Sequence, residues 1–365
     1  MVAMSRKKRV VVAMSGGVDS SVAAVLLQKQ GFEVIGLTML LGPGPKDPEV
    51  KSFNNLQGIV DAKRVSCILG LRHYVVDMRQ MLEEKIIRNF FQQYRLGKTP
   101  NPCILCNQFL KFGALLKKAF SLGADYFATG HYARIRQASA GGKIISELLK
   151  GRDPFKDQSY FLYRLNQTQL RRSLFPLGEL TKDEVRAVAR QVGFAVAEKS
   201  ESQEICFVPK NDYHTFILSR LKRPVQPGPI VDTKGKVLGS HKGIIFYTVG
   251  QRQGLGLALG YPAYIIRVDA RTNKIVVGNR KQAQASLFFT ARTHFILPLS
   301  ENKVVLEVKI RYNHQQTPAE IRILKKGVAQ VRFFKPQFAI TPGQSAVFYD
   351  KEKVIGGGII DKVAA

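Results

Sequence analysis

Two groups of residues in this sequence could do chemistry. The first is Cys103 and Cys106, three apart in "NPCILCN", in a chain of 365 residues with four cysteines. Such a pair supplies half of a tetrahedral zinc site, a dithiol redox couple, or one reactive thiol beside a bystander. Zinc would need Cys206 and His131 to converge on the pair, and only one Cys-x-x-Cys is present; no metal ligand is assigned. A helix expected near 107–122 puts the thiols close to its N-terminus, where the dipole lowers a thiol pKa and favours the nucleophilic thiolate. Cys206, alone in "KSESQEICFVPK", reads either as an exposed reactive thiol or as a small buried side chain. Cys67 reads as core packing on the apolar side of a helix over 54–70.

The second group is "SGGVDSS", residues 15–21. Gly16 and Gly17 let the backbone turn sharply and come close to an anion. Helix-start N–H groups and the dipole favour phosphate there, and Ser15, Ser20 and Ser21 could add hydroxyl donors. The stretch lacks the lysine of a Walker loop and the Gly-x-Gly-x-x-Gly spacing of a dinucleotide site, so it is a different phosphate cradle.

The elements that must position these groups begin with "VVVAM" (10–14), a continuous apolar run typical of a buried parallel strand. The helical spacing of "VAAVLLQKQ" follows, closed at Gly31, and then the strand "EVIGLTMLL". This β-α-β unit predicts a doubly wound parallel sheet. "RHYVVDM" reads as a strand, 79–95 as a long helix, and "ADYFATGHYARI" as strand, loop and return strand. Residues 181–193 carry a capping-box signature, Thr181 with Glu184. After about residue 206, Gly and Pro become frequent and short alternating strands recur, among them "YIIRVD", "VVLEVKIRY" and "SAVFYD". That texture predicts a small central β-rich domain and a terminal β-barrel. The expected division is 1–206, 207–280 and 281–365.

The formal net charge is +29, which favours a polyanionic partner, nucleic acid first. Residues 206–365 hold 25 basic and 9 acidic side chains against 31 and 18 in residues 1–205, so the shorter β-rich part is the candidate for touching phosphates. No apolar run reaches membrane-spanning length. The sparse cysteines suit a reducing compartment, and a cytoplasmic protein is expected.

"SGGVDSS" resembles the pyrophosphate loop of the N-type ATP pyrophosphatases. Together with "TPNPCILCN", "ATGHYAR", "KDQSYFLYRL", "FPLGELTKDEVR", "SQEICFV", "YTVGQRQGLG", "VKIRY" and "AITPGQSAVFY", it resembles the tRNA-specific 2-thiouridylases, in order from residue 13 to about 358. That resemblance implies an α/β domain of the adenine nucleotide alpha hydrolase type. It also implies ATP-dependent 2-thiolation of the wobble uridine, U34. ATP adenylates the C2 oxygen, usually with Mg²⁺, and a protein-bound persulfide supplies sulfur received from a donor protein. By the same resemblance Cys206 carries the persulfide and Cys106 is the second catalytic thiol, the two able to form an alternate disulfide.

The ATP contacts carried over are Ala13, Met14, Ser15, Gly16, Gly17, Val18, Asp19, Ser20, Met39 and Gly130. Asn101, Pro102 and Cys103 match the segment near the target base. His131, Lys156, Asp157, Gln158, Arg311, Tyr312 and Gln344 match tRNA-contacting positions. Some relatives carry Asp where this chain has Cys103, and the "GPGPKDP" loop departs from the usual pattern and is assigned no role. Two other readings stay open from the residues: an amide-forming ATP pyrophosphatase acting on a small acid, which needs neither Cys106 nor Cys206, and a tRNA-binding protein with a relic nucleotide site.

Overall fold

The computed structural model describes residues 6–42, 55–199, 205–208, 212–221 and 224–364. The departing loop at 43–48 and the residues Ser202–Glu204 just before Cys206 fall outside that range. The chain divides into two compact units.

The first unit holds residues up to Ile86, Cys103–Tyr213 and Glu352–Val354. Its sheet consists of β1 (Arg9–Ala13), β2 (Glu33–Leu40), β3 (Arg72–Asp77), β4 (Tyr126–Thr129) and the short β7 (Ser173–Leu174). The strand order is β3-β2-β1-β4-β7 and every pairing is parallel, as the β-α-β pattern predicts. Val10, Val11 and Val12 are fully buried, and each contributes about 1.5–3 kcal/mol on that account. Helices α1 (Val18–Lys29), α2 (Asn55–Ile68) and α8 (Lys182–Gln191) belong to this unit. Thr181 and Glu184 form the expected capping box at the start of α8.

The order of the strands fixes where a ligand can enter. From β1 the chain proceeds to β2 and β3 on one side, while β4 lies on the other. The loops after β1 and β4 therefore part in opposite directions and leave a crevice at the carboxyl edge of the sheet. Both "SGGVDSS" and "GHYAR" stand at that edge.

A helical stretch over 79–95 comprises α3 (Arg79–Met81), a π-helical segment (Leu82–Ile87) and α4 (Arg88–Arg95). A second runs over 102–121: α5 (Pro102–Leu105), a π-helical segment (Cys106–Leu115) and α6 (Leu116–Ser121). It starts earlier than the sequence predicts, at Pro102, a residue suited to the first helical turn. The return strand, β5 (Ala133–Ala140), pairs with β6 (Lys143–Lys150) as a hairpin and not with β4. Lys353 and Val354 pair with Leu149 and Leu148. The short helices α7 (Gln167–Arg171) and α9 (Tyr213–Leu218) complete the helical set introduced here.

The second unit holds two β sheets. β8 (Gly228–Val231), β9 (Val237–His241), β10 (Tyr264–Asp269) and β11 (Lys274–Gly278) form a sheet in the order β10-β11-β8-β9. β12 (Gln284–Phe295), β13 (Lys303–Lys309), β14 (Thr317–Lys325), β15 (Val328–Phe338), β16 (Ser345–Asp350) and β17 (Lys353–Val363) form a barrel in the order β12-β15-β14-β13-β16-β17. The pairing of β12 with β17 closes it, which removes exposed strand edges. Phe288, Val308, Ile321, Val331, Phe348 and Ile360, one from each strand, belong to its core, at inward positions that alternate with outward ones along each strand.

Cys67 does not pack in the core. The buried residues of α2 include Ile59, Ala62 and Val65, while Cys67 is exposed. Two residues beyond Val65 the helix has turned through roughly 200°, so Cys67 lies on the far face.

Candidate active site

The loop between β1 and α1 is built around glycine. Gly16 has φ +77°, a left-handed conformation that side chains disfavour. A Cβ on Gly16 would lie 2.1 Å from the Gly58 carbonyl oxygen, and one on Gly58 would lie 2.5 Å from the Ser15 carbonyl oxygen. Two glycines, one on the loop and one on α2, thus let the two backbones touch. The Met14 N–H donates to the Leu37 carbonyl (2.9 Å), and Thr38 Oγ1 donates to the Met14 carbonyl (2.8 Å). Ala13 ends β1.

At the start of α1 Gly17 is extended and offers no side-chain cap. The first N–H groups, at Val18, Asp19 and Ser20, lack intrahelical acceptors by construction and face the crevice edge with the positive end of the dipole. Gly130, after β4, sits against them: a Cβ there would come within 2.8 Å of Ser20 N and the Asp19 carbonyl carbon. The serines divide their work differently from the sequence expectation. Ser20 Oγ accepts from the Ser15 N–H (3.1 Å) and donates to the Gly17 carbonyl (3.1 Å); Ser21 Oγ donates to the same carbonyl (2.9 Å). Both hydroxyls brace the loop, and Ser15, which is exposed, is the one left facing outward. Met39 is half-buried near the end of β2.

Asp19 Oδ1 accepts from the Tyr132 hydroxyl (2.8 Å) and from Lys182 Nζ (2.7 Å). Sequence reasoning did not single out either partner. Lys182 lies 163 positions from Asp19, and its one signal is placement in the first turn of α8, where a cation opposes the dipole. Two of the matched tRNA positions support this arrangement. Gln158 Oε1 accepts from the Tyr132 N–H (3.2 Å), and the Gln158 N–H donates to the Tyr132 carbonyl (2.8 Å). The Asp157 carboxylate is buried and accepts from the N–H groups of Gly151 and Ser159 and from Ser159 Oγ. Lys156 is half-buried and follows Phe155, which is 88% exposed.

Cys106 and Cys206 are 100 residues apart, yet Cys106 lies close enough to act on the ionisation of Cys206, as does Cys103, on which Cys106 acts in turn. Cys103 and Cys206 keep part of their surface open to solvent. The protein packed around the sulfurs nevertheless pushes the Cys103 thiol up to about 11 and the Cys206 thiol up to about 12, burial first and the neighbouring thiols second. Burial raises Cys106 as well. The direction is thus upward, against the lowered pKa expected at a helix N-terminus, because burial disfavours the thiolate. At each of the three sulfurs Lys111 works the other way, lowering the pKa through its charge.

His131 is buried, its ring centre 6.0 Å from those of Phe112 and Phe175. Its Nδ1 lies 2.7 Å from Thr129 Oγ1 and its Nε2 3.4 Å from Lys111 Nζ. An ammonium only donates, so Nε2 accepts and Nδ1 carries the proton. Burial and Lys111 hold the imidazole neutral, well below the usual histidine range. Asn107 Nδ2 donates to the Phe161 carbonyl (3.3 Å), while Asn107 Oδ1 and Gln108 Oε1, next to Cys106, are buried without a partner. Buried acceptors of this kind are uncommon, and each calls for a partner such as water, an ion or a ligand. No set of three or more His, Cys, Asp or Glu among the described residues could hold a metal ion.

The remaining positions belong to the second unit. Thr99, two residues before Asn101, is fixed there: its N–H donates to the Pro342 carbonyl (2.8 Å), and its carbonyl accepts from Gln344 Nε2 (3.0 Å). A Cβ on Gly343 would lie 2.8 Å from Thr99 N. Gln344 thus anchors the approach to the Asn101-Pro102-Cys103 segment. Arg311 Nη1 donates to the carbonyls of Phe338 and Ala339 (3.3 and 3.4 Å), and Lys309 Nζ stands 5.5 Å from the centre of the Tyr312 ring. Both Arg311 and Tyr312 are half-buried. No helix among the described residues is long and apolar enough to cross a membrane.

Family models match the chain in three consecutive stretches: a tRNA methyl transferase HUP domain over 8–210, a tRNA methyl transferase PRC-barrel domain over 214–279, and an aminomethyltransferase beta-barrel domain over 286–360. A solved 4-thiouridine synthetase–RNA complex with bound ATP aligns with 58% of this chain and 50% of its own, at 17% identity and a TM-score of 0.34, too weak a likeness to carry an argument. Curated relatives are far nearer. The tRNA-specific 2-thiouridylase MnmA 1 of Caldanaerobacter subterraneus subsp. tengcongensis is 49% identical, covering 98% of this chain and 99% of its own. The corresponding protein of Moorella thermoacetica is 47% identical over 97% and 99%. With that identity over nearly the whole length of both chains, the chain belongs to the tRNA-specific 2-thiouridylase family.

Proposed function

We propose that the protein replaces the C2 oxygen of uridine 34 in tRNA with sulfur, using ATP. The observation that carries this reading is the convergence of Cys106 and Cys206 in the same α/β unit as the glycine cradle. An enzyme that only adenylated a small acid would need the cradle and not the thiols.

The loop at Ser15–Ser20, with Gly130 packed against it, receives the phosphates of ATP. Ala13 and Met14 lead into the loop, and Met39 borders the adenine. Asp19 Oδ2, which takes neither of the bonds made by Oδ1, suits a magnesium ion brought with the nucleotide. The C2 oxygen attacks the α-phosphorus and pyrophosphate leaves. The terminal sulfur of a Cys206 persulfide, loaded by a donor protein, then attacks C2, the C–O bond breaks and AMP departs. The Cys106 thiolate attacks the Cys206 sulfur, the S–S bond breaks, C2 keeps the outer sulfur as a thiocarbonyl and a Cys106–Cys206 disulfide forms. A thiol reductant returns both to thiols, which suits the cytoplasm.

In this reading residues 1–206 catalyse, 207–280 connect, and 281–365, the more basic part, grip tRNA through positions such as Arg311 and Tyr312. Asn101, Pro102 and Cys103 border the extruded base, and Lys156 binds phosphate. His131, Asp157, Gln158 and Gln344 act from within, by shaping the surfaces that the RNA meets. The test is the nucleoside composition of U34 by mass spectrometry after reaction with tRNA, ATP and a persulfide donor. Wild type makes 2-thiouridine, while Cys106→Ser and Cys206→Ser make none and still bind tRNA. Normal thiolation by either variant removes that residue's role. Steady pyrophosphate release on a small acid without tRNA sinks the whole reading.

A further inference from the structure

The cysteines are the reacting groups in the reading above, but burial leaves them poor anions. Among the described residues, Lys111 is the cation whose charge acts on all three sulfurs, and the reaction steps above do not use it. Its relation to Cys106 depends on an irregularity of the helix. Five residues along an α-helix turn a side chain through roughly 140° from its starting face. From Cys106 to Leu115, however, the helix is π-helical, with hydrogen bonds from i to i+5, so residue i+5 stands about one turn above residue i. Cys106 and Lys111 are five apart, and the π register brings them to one face. Such segments often mark functional sites.

The other end of the lysine is fixed. Lys111 Nζ lies 3.4 Å from His131 Nε2, and the ring is itself set by Thr129 Oγ1 at 2.7 Å on Nδ1. Phe112 and Phe175 flank that ring. Lys111 donates to a neutral imidazole, not to a carboxylate, so its charge is not cancelled by this partner.

We propose that Lys111, held by His131 on the π-helical face of Cys106, is the counter-ion for the sulfur anion that forms in the Cys103–Cys106–Cys206 cluster. It is a positioning and charge-supplying residue: each thiol loses its proton to solvent, and the ammonium stabilises the anion left behind. His131 serves as its brace. The same charge would hold a persulfide anion on Cys206, a statement that rests on the proposed function; the effect on the bare thiols does not.

The test separates the two. In the full-length reduced protein, alkylation of Cys106 and Cys206 by iodoacetamide is followed by mass spectrometry from pH 6.5 to 10, for wild type, Lys111→Gln and Lys111→Arg. Among the described residues, the titratable groups that act on these sulfurs are the three thiols themselves, Lys111 and, through Lys111, His131. His131 stays neutral throughout this range, so the profile reports the thiols. Lys111→Gln should lower the whole profile about tenfold, the equivalent of about one pH unit, while Lys111→Arg stays within about twofold of wild type. Lys111→Met serves if the Gln variant does not fold. An unchanged pH profile in a folded neutral variant overturns the proposal, whether or not the protein thiolates tRNA. A wild type that makes no 2-thiouridine refutes the functional reading and leaves the alkylation result to decide about Lys111.

Discussion

The glycine loop and the cysteine cluster share one α/β unit and reach their geometry by opposite routes. The loop is a local object. Its residues are contiguous from Met14 to Ser21, its turn needs φ +77° at Gly16, and two of its serines bond back to Gly17. The cluster is assembled from a helix start, a loop after β4 and a segment near residue 206. None of its pKa directions follows from the residues beside each thiol. Backbone positions can be specified by a short motif, because steric limits act over a few residues. Side-chain electrostatics cannot, because desolvation and charge act through space.

The largest way to break this contrast is Gly16→Ala. The left-handed conformation costs an alanine about 1–2 kcal/mol, and its Cβ would collide with the Gly58 carbonyl, adding about 1–3 kcal/mol of overpacking. ATP affinity should fall at least about a hundredfold by isothermal titration, while iodoacetamide labels Cys106 at the wild-type rate. A loop substitution that altered the thiols as strongly as ATP binding would show the two regions to be one coupled device.

Next comes Lys182→Met. It strips Asp19 of a partner that is 91% buried, given a side-chain exposure of 9%, and leaves a carboxylate that is 30% exposed. Water reaches the carboxylate, so the loss should be about 2 kcal/mol, less than for a fully buried pair. Thermal unfolding measures it, and Asp19→Asn in the same background should recover part of the loss if the pair is the cause.

In the second unit, burial and nearby Arg311 hold His314 down at about 4. An unfolded chain takes up the proton near 6.5 while the folded one does not, so the unfolded state binds more protons between those values and stability falls as pH drops from 6.5 to 4. The group is partly exposed, and the screened effect should be about 1–2 kcal/mol. His314→Gln should flatten this part of the melting profile; an unchanged slope assigns the acid sensitivity elsewhere. The smallest expected effect is that of Gln344→Ala, which removes one bond to the Thr99 carbonyl and should cost about 1 kcal/mol. If tRNA affinity drops much more than stability, Gln344 contacts RNA itself as well as holding Thr99.

The sequence by itself determined the β-α-β beginning, the anion-binding turn, the capped helix at 181 and the shift to β structure after 206. Each is written in nearest-neighbour terms: apolar period, glycine placement, capping residues. The family could also be read there, because its motifs run along most of the chain. The tertiary structure decided what those terms leave open. Cys67 faces outward because helix rotation carries it away from Val65. Ser20 and Ser21 brace the loop because their hydroxyls reach Gly17 first. Tyr132 and Lys182 meet Asp19 across more than a hundred residues. Burial raises the thiols instead of lowering them, and Lys111, which a π-helical register brings to the face of Cys106, opposes that at all three sulfurs. A local motif names the groups; their protonation depends on the solvent and charge around them, and those exist only once the chain has folded.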